Sequence, residues 1–227
     1  TRGQSDMKAR KILLRTAGVI AALYAVLYVV RFQTTLPIEG VVVDAKTGKP
    51  VSKVLVHASW HFSYSNLVDT TGGGFGYGTV TGEDGKFRIP RKNVTVVFGR
   101  FDDQSLMVKH PLYEFLDKQV YSQMGKEYRA GTVQDGVVRL TLSIQSLEDK
   151  YSGRQDLSSL SRAMDDCGPE FYRSMRDDYH VKYDLGQIMS TLKRLSERFP
   201  DIPPDENPVY LAYRTHEFRM RDFMKSY

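Results

Sequence analysis

Cysteine is almost absent from this sequence. Cys167 is the only cysteine among 227 residues, so no intramolecular disulfide can form. A secreted eukaryotic domain of this size usually contains more cysteines, because disulfides stabilise small extracellular folds. The count therefore favours a bacterial envelope protein over a secreted eukaryotic one.

Catalytic motifs are missing as well. The chain contains no G-x-S-x-G, no H-E-x-x-H and no kinase-like set of motifs, which leaves a hydrolase or transferase without residues to carry the reaction. Two carboxylates, Asp165 and Asp166, directly precede Cys167, and they disfavour the thiolate that a nucleophile needs. We interpret Cys167 as a half-buried structural residue. We predict that the chain is not an enzyme and that it has no catalytic, cofactor-binding or metal-binding residues.

The excess of charge is confined to the N-terminus. The whole chain has a net charge of +5, but residues 1–15 contain five basic residues and one acidic residue, so the remaining chain is nearly neutral. A nucleic-acid-binding domain presents a basic surface of its own. We therefore expect no nucleic-acid partner.

One long apolar run follows this basic start. Residues 12–30 contain a single charged side chain, Arg15. At about 1.5 Å per residue, a helix of this length spans the roughly 30 Å hydrocarbon layer of a bilayer. Tyr24 and Tyr28 lie toward its distal end, where an interfacial aromatic belt is expected. We predict a transmembrane helix over residues 12–30 that contacts membrane lipid, preceded by a cytoplasmic basic flank over residues 1–11.

The basic flank also predicts the orientation of the chain. Positive charge before the helix places the N-terminus in the cytoplasm, so a single-pass protein of the bacterial inner (cytoplasmic) membrane holds the bulk of its chain in the periplasm. A cleaved signal peptide is the alternative, because it shares the basic start and the apolar middle. The run ends without the small-residue A-x-A pattern of a cleavage site, which favours a retained anchor.

Short strand-like runs separated by turns occupy the next hundred residues. From Leu36 to Trp60, two such runs flank a turn at Thr47–Pro50. From Thr79 to Pro90, a second pair of runs flanks Asp84–Gly85, a dipeptide that favours a tight turn. Both patterns predict β-hairpins.

Several short strands with turns between them predict a small all-β sandwich. Further strands are predicted at Asn93–Phe98 and Val137–Ile144, where apolar and polar residues alternate. We place this domain at residues 36–145, with an insertion over residues 109–135.

The two turn-containing units resemble the carboxypeptidase regulatory-like domain, a transthyretin-like β-sandwich. The second unit of that family is a T-D-x-D-G-x-F hairpin, and this chain departs from it at the Gly82–Glu83 step. A long glycine-rich segment between the units and the insertion are further departures. The resemblance implies a folding, adhesion or interaction module without chemistry of its own, in which the matching residues are structural. The matching residues are Ile38, Gly40, Val42, Asp44, Thr47, Gly48, Pro50, Val51, Thr81, Asp84, Gly85, Phe87 and Ile89.

Two features of this region invite a chemical interpretation. The glycine-rich run Thr70–Gly78 lacks the spacing of a phosphate-binding loop and precedes no apolar helix, so we predict a mobile loop tip. His57 and His61 lie four residues apart on the strand face opposite Trp60 and are the nearest approach to a metal pair. A zinc site needs at least three convergent protein ligands, so we interpret them as ordinary histidines. A metal-dependent enzyme remains only as a third hypothesis.

Helical spacing replaces the strand pattern beyond residue 146. Asp184 is a suitable N-cap for a helix with an apolar stripe from Leu185 to Leu195. The final segment interleaves aromatic residues with arginines, a composition that protein interfaces enrich, and packing against the sandwich is the alternative explanation. We predict a helical C-terminal segment over residues 146–227.

The preferred functional hypothesis is an accessory or structural subunit. Its periplasmic sandwich and helical tail would bind and stabilise a larger bacterial membrane protein complex, either bioenergetic (respiratory or photosynthetic) or secretory. Other membrane-protein subunits are then the expected partners, with no cofactor and no small-molecule ligand. The alternative is a periplasmic receptor module that stacks carbohydrate or peptide on an exposed aromatic platform. The predicted partner contacts are Trp60, Phe75, Tyr77, Tyr210, Tyr213, Arg214, Phe218, Arg219, Arg221 and Phe223.

Overall fold

Strands form the first part of the chain and helices form its last third. A computed structural model describes residues 15–24, 30–65, 70–97, 99–122, 127–152 and 157–225. The strands are β1 (Val30–Thr34), β2 (Ile38–Asp44), β3 (Leu55–Ser65), β4 (Thr70–Val80), β5 (Lys86–Ile89), β6 (Asn93–Val97), β7 (Gly99–Lys109), β8 (Leu116–Ser122), β9 (Glu127–Tyr128), β10 (Thr132–Gln134) and β11 (Val137–Ile144). The helices are α1 (15–24), α2 (Leu147–Lys150), α3 (Leu157–Asp165), α4 (Pro169–Asp177), α5 (Leu185–Ser196) and α6 (Pro208–Lys225).

Nine of the described strands form two sheets. The first sheet has the order β10-β11-β2-β5, and the second has the order β4-β3-β7-β8-β9. All neighbours are antiparallel except β11 and β2, which run parallel with Leu142 opposite Val42. The two remaining strands, β1 and β6, pair with each other in a separate ribbon.

The two sheets face each other across one apolar core. Every second residue of β11 is buried, from Val138 to Ile144, and β5 contributes Phe87 and Ile89 in the same way. The facing sheet contributes alternating apolar side chains of β3, among them Trp60. Sheets that each bury one face against the other form a sandwich. The predicted sandwich is confirmed as a mixed β-sandwich-like fold with appended helices.

The two predicted hairpins are wrong. β2 ends at Asp44 in the four-stranded sheet, whereas β3 begins at Leu55 in the five-stranded sheet. β4 and β5, which flank Asp84–Gly85, also lie in different sheets. The turns occur where the pattern predicts them, but the chain uses each of them to cross between the sheets. Each strand has one apolar face, and these faces are buried when the two sheets pack against each other.

Asp44 and Gly85 fix the geometry of the two crossings. The Asp44 carboxylate accepts hydrogen bonds from the backbone amides of Lys46 and Thr47 at 3.1 and 2.8 Å and from the Thr47 hydroxyl at 2.9 Å. The Thr47 amide is the main cause that lowers the pKa of Asp44. Gly85 has a φ of +69°, and a Cβ at this position would lie 2.6 Å from the Val42 carbonyl oxygen. Only glycine fits there without strain.

Thr81 ties the two crossings together. Its hydroxyl donates to the Val51 carbonyl at 2.9 Å and accepts from the Val54 amide at 2.9 Å, and the side chain is buried. Two backbone hydrogen bonds complete the contact: the Lys53 amide donates to the Thr81 carbonyl at 3.1 Å, and the Thr81 amide donates to the Val54 carbonyl at 3.0 Å. We call residues 51–54 together with Thr81 the crossing clamp.

The described part of the predicted membrane helix is α1. All of its residues are exposed, with Val19 60% and Leu23 56% exposed. No helix within the described ranges combines the length and the apolar character of a membrane span. Residues 12–14 and 25–29 of the predicted span, and the flank over residues 1–11, lie outside the described residues. The single-pass architecture therefore stays a prediction.

The predicted end of that helix is wrong. Val30 was assigned as its last residue, but Val30 opens β1, which pairs along its whole length with Asn93–Val97. Val30 is the last residue of the apolar run and the first of β1, in which apolar and polar residues then alternate, and a β-branched residue such as Val30 favours a strand once a partner strand is present. The hydropathy pattern alone does not mark where helix gives way to strand.

The predicted loop tip and the predicted insertion both contain strands. Thr70–Gly78, predicted as a mobile loop tip, belongs to β4, which pairs with β3 over eleven residues, so the prediction of a loop is wrong. The predicted insertion over residues 109–135 contains β8, β9 and β10, which extend both sheets. Glycine disfavours strands in general but allows close approach of neighbouring groups. At Gly78, an added Cβ would overlap the hydroxyl of Tyr179.

The helices from α2 to α6 enclose a second apolar core. Helix α6 packs against α3, α4 and α5. Asp184 caps α5 as predicted, because its carboxylate accepts the Gln187 amide at 3.0 Å. Asn207 caps α6 by accepting the amides of Val209 and Tyr210 at 3.0 and 3.2 Å. The helical unit is therefore held together by its own core and caps.

Replacing Thr81 with valine tests the crossing clamp. Valine keeps the size of the side chain but leaves the Val51 carbonyl and the Val54 amide without their buried partner. We expect the free energy of unfolding to fall by about 2–4 kcal/mol, because each unsatisfied buried group costs about 1–3 kcal/mol. Denaturant unfolding followed by circular dichroism measures this change. Thr141→Val, at an exposed position of β11, is the matched control and should stay within about 0.5 kcal/mol of the unsubstituted protein. Equal stability of the two variants would contradict the role of the clamp.

Candidate functional site

The predicted contact residues of the sandwich do not form an exposed platform. Trp60 is fully buried, and its ring stacks on the half-buried Phe75 with 4.6 Å between ring centres. Tyr77 is also half-buried, and the ammonium group of Lys92 lies 4.4 Å from its ring centre. The predicted exposure of Trp60, Phe75 and Tyr77 is therefore wrong. They lie on paired strands of the sandwich, where every second residue faces the core.

The predicted contact residues of the C-terminal helix fall into two groups. Tyr213 and Phe223 are buried in the helical core, which corrects their assignment as partner contacts. Tyr210 is half-buried. On a helix that packs on one side only, buried and exposed positions are interleaved along the sequence. The exposed members of the predicted set are Arg214, Phe218, Arg219 and Arg221.

Exposed residues line one face of α6. Leu211, Arg214, Phe218 and Arg221 are spaced by three or four residues, so the helix places them on one side. Phe218 is 69% exposed and Leu211 is 48% exposed. Glu217 accepts hydrogen bonds from Arg214 at 2.8 Å and from Arg221 at 2.7 Å, which orients both guanidinium groups on the helix surface. We call Leu211, Arg214, Phe218 and Arg221 the α6 face.

His57 and His61 are too far apart to share a metal ion. They are separated by four residues of a strand, which is roughly 13 Å at about 3.3 Å per residue. Burial, and then the charge of Lys109, lower the pKa of His57. Within the described ranges, no cluster of three or more potential metal-ligating side chains exists. The metal-dependent hypothesis therefore has no ligand set in the described part of the chain.

Cys167 is a buried residue. Its side chain is buried more deeply than expected, at 6% exposed, and burial raises the pKa of the thiol to about 12. A thiol that stays protonated at neutral pH is a poor nucleophile.

A short strap connects α4 to α5 and reaches back to the sandwich. We call residues 180–184 the junction strap. Helix α4 ends in an αL motif, in which the His180 amide donates to the Arg176 carbonyl at 3.1 Å, and the Val181 amide donates in addition to the Met175 carbonyl at 2.8 Å. His180 has a φ of +56°, a conformation that glycine usually adopts at this position.

The junction strap is attached to the crossing clamp through Lys53. The Tyr183 hydroxyl donates to the Lys53 carbonyl, and the Lys53 ammonium donates to the Lys182 carbonyl at 3.0 Å. Lys53 itself has a φ of +59°. A non-glycine residue in this region costs roughly 1–2 kcal/mol, and such outliers concentrate at functional sites. Two of the three such residues in the described part of the chain, Lys53 and His180, lie at this junction.

Aromatic rings connect the sandwich to the helical core at the same place. His110, directly after β7, contacts Tyr113 at 5.0 Å and Tyr183 at 5.6 Å between ring centres. Tyr183 contacts Tyr172 at 5.8 Å, and Tyr172 contacts His216 of α6 at 6.1 Å. All four contacts are edge-on, the arrangement that aromatic quadrupoles favour. Burial raises the pKa of Tyr172 and Tyr183, so both hydroxyls stay protonated and can donate hydrogen bonds.

A cavity of about 330 Å³ lies beside these rings. Its walls come from α4, the junction strap, the start of α5 and the end of α6. We call it the junction cavity. Small-molecule sites are typically concave, mainly apolar with a few polar groups, and from about 300 Å³ upward in volume. The lining residues are Tyr172, Arg176, Val181, Lys182, Tyr183, Leu185 and Phe223.

Most residues that line the cavity are not predicted by the sequence patterns. Only Phe223 was among the predicted contact residues, and it was assigned to the surface. The apolar spacing of a short helix such as α4 predicts a core face and gives no information on what lies against it. One available signal was the local excess of tyrosine at positions 172, 179 and 183, because buried tyrosines combine an apolar ring with a polar group.

Comparisons with known proteins give weak matches. Neither a family model nor a curated protein matches the chain. Among solved structures, a 3-chlorocatechol 1,2-dioxygenase from Rhodococcus opacus 1CP is 17% identical over 50% of this chain and 60% of that chain, with a TM-score of 0.32. The pilus 2b backbone protein of group B streptococcus is 18% identical over 49% and 41%, with a TM-score of 0.30. The dioxygenase domain of a dioxygenase carbohydrate-binding protein fusion from Streptomyces sp. SirexAA-E is 21% identical over 48% and 80%, with a TM-score of 0.28. The first two matches span less than two thirds of those proteins.

The prediction that the chain is not an enzyme is contradicted. Two of these three structures are dioxygenases, and we withdraw the prediction. TM-scores near 0.3 carry no argument for any particular activity of this chain. The fold assignment rests on the sheets and the core described above.

The pH dependence of stability tests the junction at His110. Burial, and then the charge of Lys53, lower the pKa of His110 to about 4 from an ordinary value of 6.5. Its Nδ1 atom accepts the Leu112 amide at 3.2 Å and must be unprotonated to do so. The unfolded chain binds the proton more tightly, so the stabilisation is complete above about pH 6.5 and is lost as the pH falls toward about 4. We expect a loss of roughly 2–3 kcal/mol over this interval.

His110→Asn keeps an acceptor at this position and removes the titration. Denaturant unfolding between pH 7.5 and 4 should give a shallower pH dependence for this variant than for the unsubstituted protein. His61→Asn, at an exposed position of β3, is the matched control and should keep the original slope. Parallel curves for His110→Asn and the unsubstituted protein would contradict the assignment.

Proposed function

We propose that this protein is a membrane-anchored accessory subunit whose extramembrane domain binds and stabilises a larger bacterial membrane protein complex. The complex is bioenergetic, either respiratory or photosynthetic, or belongs to a secretion system. The α6 face is the single observation that carries the proposal. It combines a large exposed aromatic ring with two oriented arginines on one side of α6.

The composition of the α6 face suits a protein partner. Aromatic and arginine side chains dominate the binding energy of many interfaces, whereas isolated exposed aromatic residues on a monomer are less common than exposed polar ones. Glu217 restricts Arg214 and Arg221 before a partner arrives, which reduces the entropy lost on binding. Leu211 and Phe218 supply apolar area on the same side. The face therefore has both an apolar centre and charged flanks.

The anchor in this proposal is the apolar run over residues 12–30, corrected to end before Val30. The exposed apolar side chains of α1 support it, because no described residue covers them. The basic flank over residues 1–11 supports a cytoplasmic N-terminus, and the bulk of the chain is then periplasmic. Membrane lipid and other membrane-protein subunits are the partners.

The sandwich in this proposal is a carboxypeptidase regulatory-like module. Asp44, Thr47 and Gly85 hold the crossings, and Thr81 closes the clamp. All four belong to the residues that carry the resemblance. A structural role for them agrees with a module that positions other surfaces. The receptor alternative loses its motivation, because Trp60 is buried and offers no ring for a sugar to stack on.

Replacing Phe218 with serine tests the partner-binding role of the α6 face. Loss of a central aromatic contact costs about 2 kcal/mol or more, so we expect at least a tenfold reduction of the high-mass species. The measurement is native gel electrophoresis after mild detergent extraction, with mass spectrometry of the proteins that co-migrate. Val133→Ser, at a 48% exposed position of β10, is the matched control and should leave the assembly intact. An unsubstituted chain that migrates alone as a monomer would refute the proposal.

Membrane extraction tests the anchor separately. We expect the full chain to stay in the membrane pellet after alkaline carbonate treatment, because a spanning helix resists removal by high pH. A variant that lacks residues 1–29 should appear in the supernatant. External protease added to spheroplasts should digest the region from residue 36 onward. Release of the full chain by carbonate would count against a spanning helix and leave the α6 face to be judged by the Phe218 experiment.

A further inference from the structure

The junction cavity has no role in the proposed subunit function. Phe223 lines the cavity and lies five residues after Phe218, which is about 140° around an α-helix. The cavity and the α6 face are therefore on different sides of α6. A partner bound to the α6 face leaves the cavity accessible for a second purpose.

The cavity walls combine apolar surface with cations. Val181, Leu185 and the rings of Tyr183 and Phe223 supply apolar area, and Arg176 and Lys182 supply positive charge. Such a lining favours a ligand with one apolar part and one anionic group, since an apolar wall attracts the first and a guanidinium pairs with the second.

Two arginine side chains lie close to the ring of Phe223. The guanidinium groups of Arg173 and Arg176 lie 5.9 and 5.8 Å from the Phe223 ring centre, so both cations lie close to this wall of the cavity. Asp177 accepts two hydrogen bonds from Arg176, at 2.5 and 3.1 Å. The lining residues themselves include two cations, Arg176 and Lys182, and no carboxylate, so the cavity wall is positively charged.

We propose that the junction cavity binds a small organic acid. Its carboxylate pairs with Arg176 and Lys182, and its apolar part lies against Tyr183, Leu185 and Phe223. A carboxylate fits better than a cation, because the cations already present repel positive charge. It also fits better than a neutral hydrocarbon, which makes no charge-assisted hydrogen bond to Arg176 or Lys182.

Photolabelling of the full chain tests this proposal. The probe is 4-(trifluoromethyldiazirinyl)benzoate, an aromatic carboxylate, and the comparison probe is the corresponding benzyl alcohol, which has the same apolar part and no charge. Mass spectrometry locates the adducts. We expect saturable labelling of peptides that contain residues 172–185 or Phe223, competition by unlabelled benzoate, and at least tenfold less labelling by the alcohol at equal concentration.

Charge removal provides the decisive comparison. The double variant Arg176→Gln/Lys182→Gln should require at least tenfold more probe for half-maximal labelling. The control variant Arg162→Gln/Lys193→Gln removes two charges from exposed positions of α3 and α5 and should label like the unsubstituted chain. Leu185→Trp fills the cavity and should abolish labelling, with circular dichroism to verify its fold. If Leu185→Trp does not fold, the two double variants decide the question on their own.

Three results would overturn the proposal. They are equal labelling by the acid and the alcohol, equal labelling of the two double variants, and adducts spread over the chain without saturation. None of these results bears on the α6 face, whose test uses Phe218. The failure of one proposal is therefore distinguishable from the failure of the other.

Discussion

The buried hydroxyl of Thr81 is the contact on which the arrangement of the molecule depends. The chain passes between the two sheets four times, and Thr81 joins the first two of these crossings: it directly follows β4, and its hydroxyl hydrogen-bonds to the segment that follows β2. Because both crossings are held at fixed separation, β2 and β5 pair in one sheet while β3 and β4 pair in the other. Sheet alternation then directs the apolar side chains of all four strands into one core. A hydroxyl is required here, since an apolar side chain of equal size leaves two backbone groups unsatisfied.

The same clamp determines where the helical unit sits. Lys53 lies between the two residues that Thr81 binds, and its carbonyl and ammonium group both bond to the junction strap. Lys53 and His180 both have left-handed backbone conformations, with φ of +59° and +56°. Each of these conformations is unfavourable alone, so the surrounding hydrogen bonds must hold them. The junction strap, which lines part of the junction cavity, is thus hydrogen-bonded through Lys53 to the crossing clamp of the sandwich.

Local patterns were sufficient for some of these features and insufficient for others. The period of two in Val137–Ile144 predicted a half-buried strand, and Asp184 marked the start of α5, because both signals arise within a few neighbouring residues. The pairing of strands is not determined by neighbouring residues alone. Nothing within Thr47–Pro50 distinguishes the turn of a hairpin from a crossing between two sheets. The glycine run of β4 misled for the same reason, since its glycines accommodate groups such as the Tyr179 hydroxyl, which is distant in sequence. The junction cavity is hardest to foresee, because its walls come from α4, the strap and the end of α6 together.

Helix α6 links the two proposed sites, because Phe223 lines the cavity and Phe218 lies on the α6 face. Asn207 caps its first turn, and its inward residues pack against α3, α4 and α5. If binding of the acid shifts α6, that shift couples the cavity to the α6 face. Linkage makes such coupling reciprocal: a partner on the α6 face must change the affinity of the cavity by the same factor that the acid changes the affinity of the partner. If α6 does not shift, that factor is one, and the two sites act independently on a shared scaffold.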